Sequence, residues 1–117
     1  MMTPAENKSL RESMGLTLHW LADRWGVTLQ SVKRWENGRT LPPMFAKDMI
    51  VLKRTFDDEV ARLVDSKEEC VIVPRRDGDF KSGEKPAAWS RAVAQRANEQ
   101  TGIIIRFADE DEDTVKA

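Results

Sequence analysis

From Leu16 to Arg39 the apolar positions keep a helical rhythm twice, with a break between. Leu18, Leu21, Ala22 and Trp25 recur at helical spacing behind Thr17, whose hydroxyl can cap a first helix. Gly26 ends that helix in a left-handed conformation and Val27 tucks the turn into the core. Thr28 then caps a second helix expected from Leu29 to Asn37, where Val32 and Trp35 face inward. Gln30, Ser31, Lys33 and Arg34 are left for the outer face, and Asn37-Gly38 stops the helix. Trp20, Trp25 and Trp35 sit at inward spacings, which reads as core rather than as platforms for unstacked bases.

Beyond Pro42-Pro43 the apolar positions lengthen into a stripe, Phe45, Met49, Leu52, Phe56, Val60 and Leu63, close to a heptad seam. Pro43 suits a first helical position. Two organisations fit this stripe: one long helix, or two helices broken between Thr55 and Asp58, where threonine and aspartates can cap. The pattern then turns toward strand. Cys70 to Val73 and Gly102 to Phe107 are β-branched runs, and between them a helix is expected from about Pro86 to Gln100, with Trp89, Ala92, Val93 and Ala97 on its apolar face. Two strands make too small a sheet to stand alone, so a second copy of the chain is expected to complete it. The residues assigned to that interface are Phe56, Val60, Leu63, Ile103 and Ile105, with packing inside the same chain as the alternative for Phe56, Val60 and Leu63.

The stretch LTLHWLADRWGVTLQSVKRWENGR resembles the helix-turn-helix of the Xre family, the Cro and C1 phage-repressor type. The likeness extends upstream through SLRESMGLT and downstream through WENGRTLP, about half the chain. It implies a mainly α fold, a lambda-repressor-like helix-turn-helix bundle, here followed by a small α+β (strand-helix-strand) dimerisation domain. It also implies that Leu29, Gln30 and Arg34 read bases. Their side chains have the chemistry for this, since Gln30 can pair with adenine, Arg34 with guanine O6 and N7, and Leu29 can touch a thymine methyl. The resemblance further implies a buried ion pair between Arg11 and Glu36 and a phosphate contact from Asn37. Thr28, Ser31, Lys33 and Arg39 are the other candidates for phosphate contacts, which orient a protein on the duplex without reading it. Leu18 is a departure, standing where many members carry a phosphate-touching glutamine.

A chain of 117 residues holds one compact domain or two very small ones. The expected division is 1–66 for the DNA-binding part, 67–108 for the α+β part and 109–117 for an acidic tail. The net charge of −1 conceals an asymmetry. Residues 1–56 have nine Lys/Arg against five acids, and residues 57–117 have 10 against 15. A basic front and an acidic rear suit a DNA-binding part with an assembly part behind it.

No apolar run approaches the roughly 18–20 residues of a membrane span, and MMTPAENKSLRE lacks the apolar core of a signal peptide, so a cytoplasmic protein is expected. Cys70 is the only cysteine and lies in an apolar run, which suits a reduced core thiol; His19 has no Cys or His near it in sequence, against a metal site. The loop from Arg75 to Lys85 lacks the P-loop order of glycines, lysine and Ser/Thr before a helix. No nucleophile with a base and no metal spacing marks an enzyme, and no cofactor is implied. The expectation is a homodimeric, sequence-specific transcriptional regulator, a repressor or autorepressor that binds an inverted repeat in double-stranded DNA. The alternative is an antitoxin-like or adaptor protein whose main role is to bind a partner protein through residues 57–117.

Overall fold

Thr3 begins the first helix by a reciprocal cap. Its hydroxyl accepts the Glu6 N–H at 3.1 Å while the Glu6 carboxylate accepts the Thr3 N–H at 2.9 Å. Helix α1 (Pro4–Ser13) follows, then α2 (Leu18–Trp25), α3 (Leu29–Arg34) and the long α4 (Pro43–Ser66). The C-terminal part is a strand β1 (Cys70–Val73), a 3-10 turn at Asp77–Asp79, helix α5 (Ala87–Thr101) and a strand β2 (Ile104–Phe107). These elements come from a computed structural model, which describes residues 2–79 and 85–109. The middle of the loop between Arg75 and Lys85, and the acidic tail from residue 110 on, lie outside the described residues.

The stripe beyond Pro43 is one helix of 24 residues. Two of the groups that could have broken it bond within it: the Thr55 hydroxyl donates to the Val51 carbonyl at 3.1 Å, and Asp57 takes the Lys53 ammonium at 2.6 Å. Neither side chain is left to cap a new helix, so the i to i+4 ladder runs through. The stripe itself, Met49, Leu52, Phe56 and Val60, is buried.

Strands β1 and β2 are parallel neighbours, with Cys70 opposite Ile104 and Val73 opposite Phe107, and α5 is the crossover between them. Helix α5 also packs against α4, where the Trp89 ring meets Phe56 edge-on at 5.1 Å and its indole N–H donates to the Glu59 carboxylate at 3.0 Å. One continuous apolar cluster therefore runs from Met14, Leu21 and Val32 through Phe56 to Trp89 and Val93. The packing does not stop at the boundary expected near residue 66.

That packing corrects the expected dimer interface. Phe56, Val60 and Ile103 are only 2%, 6% and 4% exposed, because α4, α5 and the sheet of the same chain cover them. Leu63 is half-buried against the same cluster, and Ile105 is half-buried in β2. Phe56, Val60 and Ile103 therefore serve the interior of this chain, the alternative that the stripe on α4 left open. The exposed apolar side chains lie elsewhere, at Met44, Ile50 and Val51 on α4 and at Ile72 and Ile104 on the sheet.

Candidate nucleic-acid interface

Three residues, Gly26, Val27 and Thr28, separate α2 from α3. Gly26 sits at φ 64° and ψ 35°, and the Val27 N–H reaches back to the Ala22 carbonyl at 3.0 Å, closing α2 in a left-handed turn that a side chain would strain. The Thr17 and Thr28 hydroxyls cap their helices by accepting the N–H groups of Trp20 (3.0 Å) and Ser31 (3.1 Å).

Helix α3 stops at Arg34, three residues before the expected end. Glu36 and Asn37 donate their N–H groups to carbonyls three residues back, Lys33 and Arg34, so the last turn tightens. Two side chains draw it in. Trp35 packs its ring against Phe45 (5.2 Å) and Trp25 (6.3 Å), and Glu36 turns to Arg11. The Trp25 ring stacks on Phe45 at 4.7 Å.

Arg11 of α1 and Glu36 form a two-pronged pair, with Nε to Oε2 at 2.6 Å and Nη2 to Oε1 at 3.0 Å. The side chains are only 12% and 4% exposed, and Arg11 Nη1 also donates to the Leu16 carbonyl at 2.9 Å. A planar guanidinium thus ties the end of α3, α1 and the α1–α2 turn into one frame. Asn7, one turn before Arg11 on α1, is fully buried and donates from Nδ2 to the Trp35 carbonyl at 3.4 Å. Asp48 of α4 anchors α2 in a similar way, accepting from the Trp25 indole N–H (2.7 Å) and from Arg24 Nε (2.7 Å) and Nη2 (3.0 Å). The Arg24 hydrogen bonds hold the Asp48 carboxyl below the usual carboxylate range. The sequence reading missed both Asn7 and Asp48. A polar residue one turn from Arg11 on the same helix face was the available signal for Asn7; Asp48 had none beyond lying beside Met49.

With that frame behind it, α3 turns Val32 wholly inward and leaves Gln30, Lys33 and Arg34 exposed, while Leu29 is half-buried. Asn37 and Arg39 are exposed just past the helix. Asn37 already donates from Nδ2 to the Lys33 carbonyl at 2.9 Å. Thr28 and Ser31 lie with their hydroxyls 2.9 Å apart, so one proton is shared between them and the other is available to an outside acceptor. The candidate readers and phosphate contacts are therefore gathered on α3 and the segments that flank it. Among the described residues no three His, Cys, Asp or Glu side chains are grouped to hold a metal ion, and no helix is long and apolar enough to cross a membrane.

No curated protein and no solved structure matches the chain. A family model does. Residues 8–63, from α1 through almost all of α4, match the model described as a helix-turn-helix domain. That span contains both partners of the Arg11–Glu36 pair, the capped turn at Gly26 and the exposed face of α3. Over those residues the chain carries a helix-turn-helix domain.

Proposed function

We propose that the protein is a sequence-specific DNA-binding regulator of the Xre type, with α3 lying in the major groove of double-stranded DNA. The observation that carries this reading is the exposed row Gln30, Lys33 and Arg34 on a short helix whose other side is anchored by buried Val32 and by the Arg11–Glu36 pair. Gln30 and Arg34 supply the bidentate groups that distinguish adenine and guanine, and Leu29 supplies an apolar contact. Lys33, Asn37, Arg39 and the Thr28–Ser31 hydroxyls serve the phosphates on either side. Catalysis and cofactors have no part in this activity, which is exercised in the cytoplasm.

A six-residue helix covers only a few base pairs. Two copies on half-sites one duplex turn apart, about 34 Å, give the reach a specific operator needs, so the active form is a homodimer on an inverted repeat. Occupancy of a promoter by such a dimer makes it a repressor, and control of its own promoter follows the phage pattern that its head resembles.

Selection of bound sequences from a random duplex library, with the winner's affinity measured across salt concentrations, tests this reading. An enriched inverted repeat with a steep salt dependence supports it. Weak binding without enrichment overturns it in favour of the protein-binding role for residues 57–117.

A further inference from the structure

Asn7 is the one buried polar or charged residue among the described residues, and it is 0% exposed. It occupies an inward position of α1, on the side from which Leu10 and Met14 pack into the apolar cluster. A leucine or methionine there would serve the core. Asparagine is a poor residue for a helix interior, and a buried amide costs stability unless its bonds are made. Here they are not. Only the amide nitrogen can face the Trp35 carbonyl, at 3.4 Å, which leaves Oδ1 buried without a hydrogen-bond partner among the described residues. A bond of that length offsets little of the cost. A core position given to a half-bonded amide breaks a local rule of stability, and such breaks concentrate where function sets the demand.

The demand lies at the end of α3. The N–H groups that close its last turn go to the Lys33 carbonyl, from Glu36, and to the Arg34 carbonyl, from Asn37 and Arg39. They pass over the Trp35 carbonyl, the point at which the chain leaves the helix. Asn7 supplies the donor there. One turn further along α1, Arg11 takes the carboxylate of Glu36, the next residue. Neighbouring positions on one face of α1 therefore grip consecutive residues after α3, one by its main chain and the other by its side chain. The Arg11–Glu36 pair by itself leaves the helix a pivot in the rotatable Glu36 side chain; the second grip, on the backbone, sets the helix's direction.

We infer that Asn7 is a positioning residue for base reading: it fixes the angle at which α3 presents Gln30 and Arg34, at the expense of stability. The inference rests on the proposed function and deepens it by adding a residue that touches no DNA. Bidentate pairing by Gln30 and Arg34 tolerates little displacement, because both bonds of each pair must align with one base edge. Lys33 and Arg39 reach toward phosphates with long side chains and carry no sequence information, so they tolerate more. Loss of the Asn7 grip therefore lowers the preference for operator over random duplex and leaves binding to random duplex in place.

The test is Asn7→Leu in the full chain, with Asn7→Ala beside it as the smaller residue that fits the site if leucine does not. Thermal unfolding gives the folded fraction, and titration with operator and with random duplex at one salt concentration gives the ratio of the two affinities for the folded protein. Asn7→Leu should hold or raise the thermal midpoint while the ratio falls about tenfold, the worth of one bidentate pair, and Asn7→Ala should lower the ratio as much. A residue that served the fold alone would move the midpoint and leave the ratio at its wild-type value. An unchanged ratio in a folded variant, beside a wild type that prefers its operator, overturns the inference and leaves the functional reading standing. A wild type that prefers no sequence removes that reading and the inference with it.

Discussion

Gly15 lies directly against the backbone of Ala88: a Cβ built at Gly15 would stand 2.2 Å from the Ala88 carbonyl oxygen. The turn between α1 and α2 thus touches the first turn of α5, and Gly15 is held at φ 71° where it does so. Two costs fall on one substitution. Alanine would take a left-handed conformation, at about 1–2 kcal/mol, and would force α5 away from the head, with overpacking of about 1–3 kcal/mol. Gly15→Ala should lose about 3 kcal/mol in urea unfolding. A loss under 1 kcal/mol would mean that α5 is not seated on the head.

The Arg11–Glu36 pair predicts an asymmetry between single and double replacement. Removing either partner leaves a buried charge uncompensated, so Arg11→Met or Glu36→Leu should cost about 3–5 kcal/mol. The double replacement fills the same space without charge and should recover most of that loss. Because Glu36 lies in the turn that closes α3, its N–H on the Lys33 carbonyl, the single variants should also weaken DNA binding by more than their unfolded fraction explains. Equilibrium unfolding beside a duplex titration of the same samples measures both effects.

What could be read from the chain alone was what neighbouring residues decide. Thr17, Gly26 and Thr28 act within one turn of themselves, so the α2-turn-α3 unit was legible. The early end of α3 was not, because Trp35 and Glu36 are drawn off by Phe45 and Arg11, which the local pattern does not contain. Phe56 and Val60 show the same limit. An apolar stripe records that something covers it; that α5 of the same chain does so is a tertiary fact. The continuity of α4 depended on whether Thr55 and Asp57 would cap or bond within the helix, and the sequence permits both. Arg11 was tied to Glu36 by family resemblance and not by any spacing, since 25 residues separate them.

Asp48 gives the head a sensitivity to acid. The Arg24 hydrogen bonds, opposed in part by desolvation, lower its carboxyl relative to the unfolded chain. The folded state therefore binds its proton less readily, and the stabilisation is present in full above the unfolded carboxylate value near 4 and drains away as pH falls through the lower folded one. Asp48→Asn should flatten that part of the acid-unfolding curve and cost about 1 kcal/mol at neutral pH, the pair being partly open to water. Thermal midpoints of both proteins from pH 7 to pH 2.5 provide the check; parallel curves would show that the acid sensitivity originates elsewhere.

Exposed groups on and beside α3 should divide by the kind of loss they cause. Gln30 and Arg34 project from the helix itself, so Gln30→Ala and Arg34→Ala should each cost about 1–3 kcal/mol on the selected operator and relax the preference at one base position in each half-site. Arg39 follows the helix, beyond the turn that returns its N–H to the Arg34 carbonyl. A phosphate contact there carries no sequence information, so Arg39→Ala should weaken operator and random duplex alike and reduce the salt slope by about one unit per half-site. Equal loss on every sequence from all three variants would remove Gln30 and Arg34 from the reading role while leaving α3 on the duplex. A shifted preference from Arg39→Ala would show that the segment after α3 reaches a base edge.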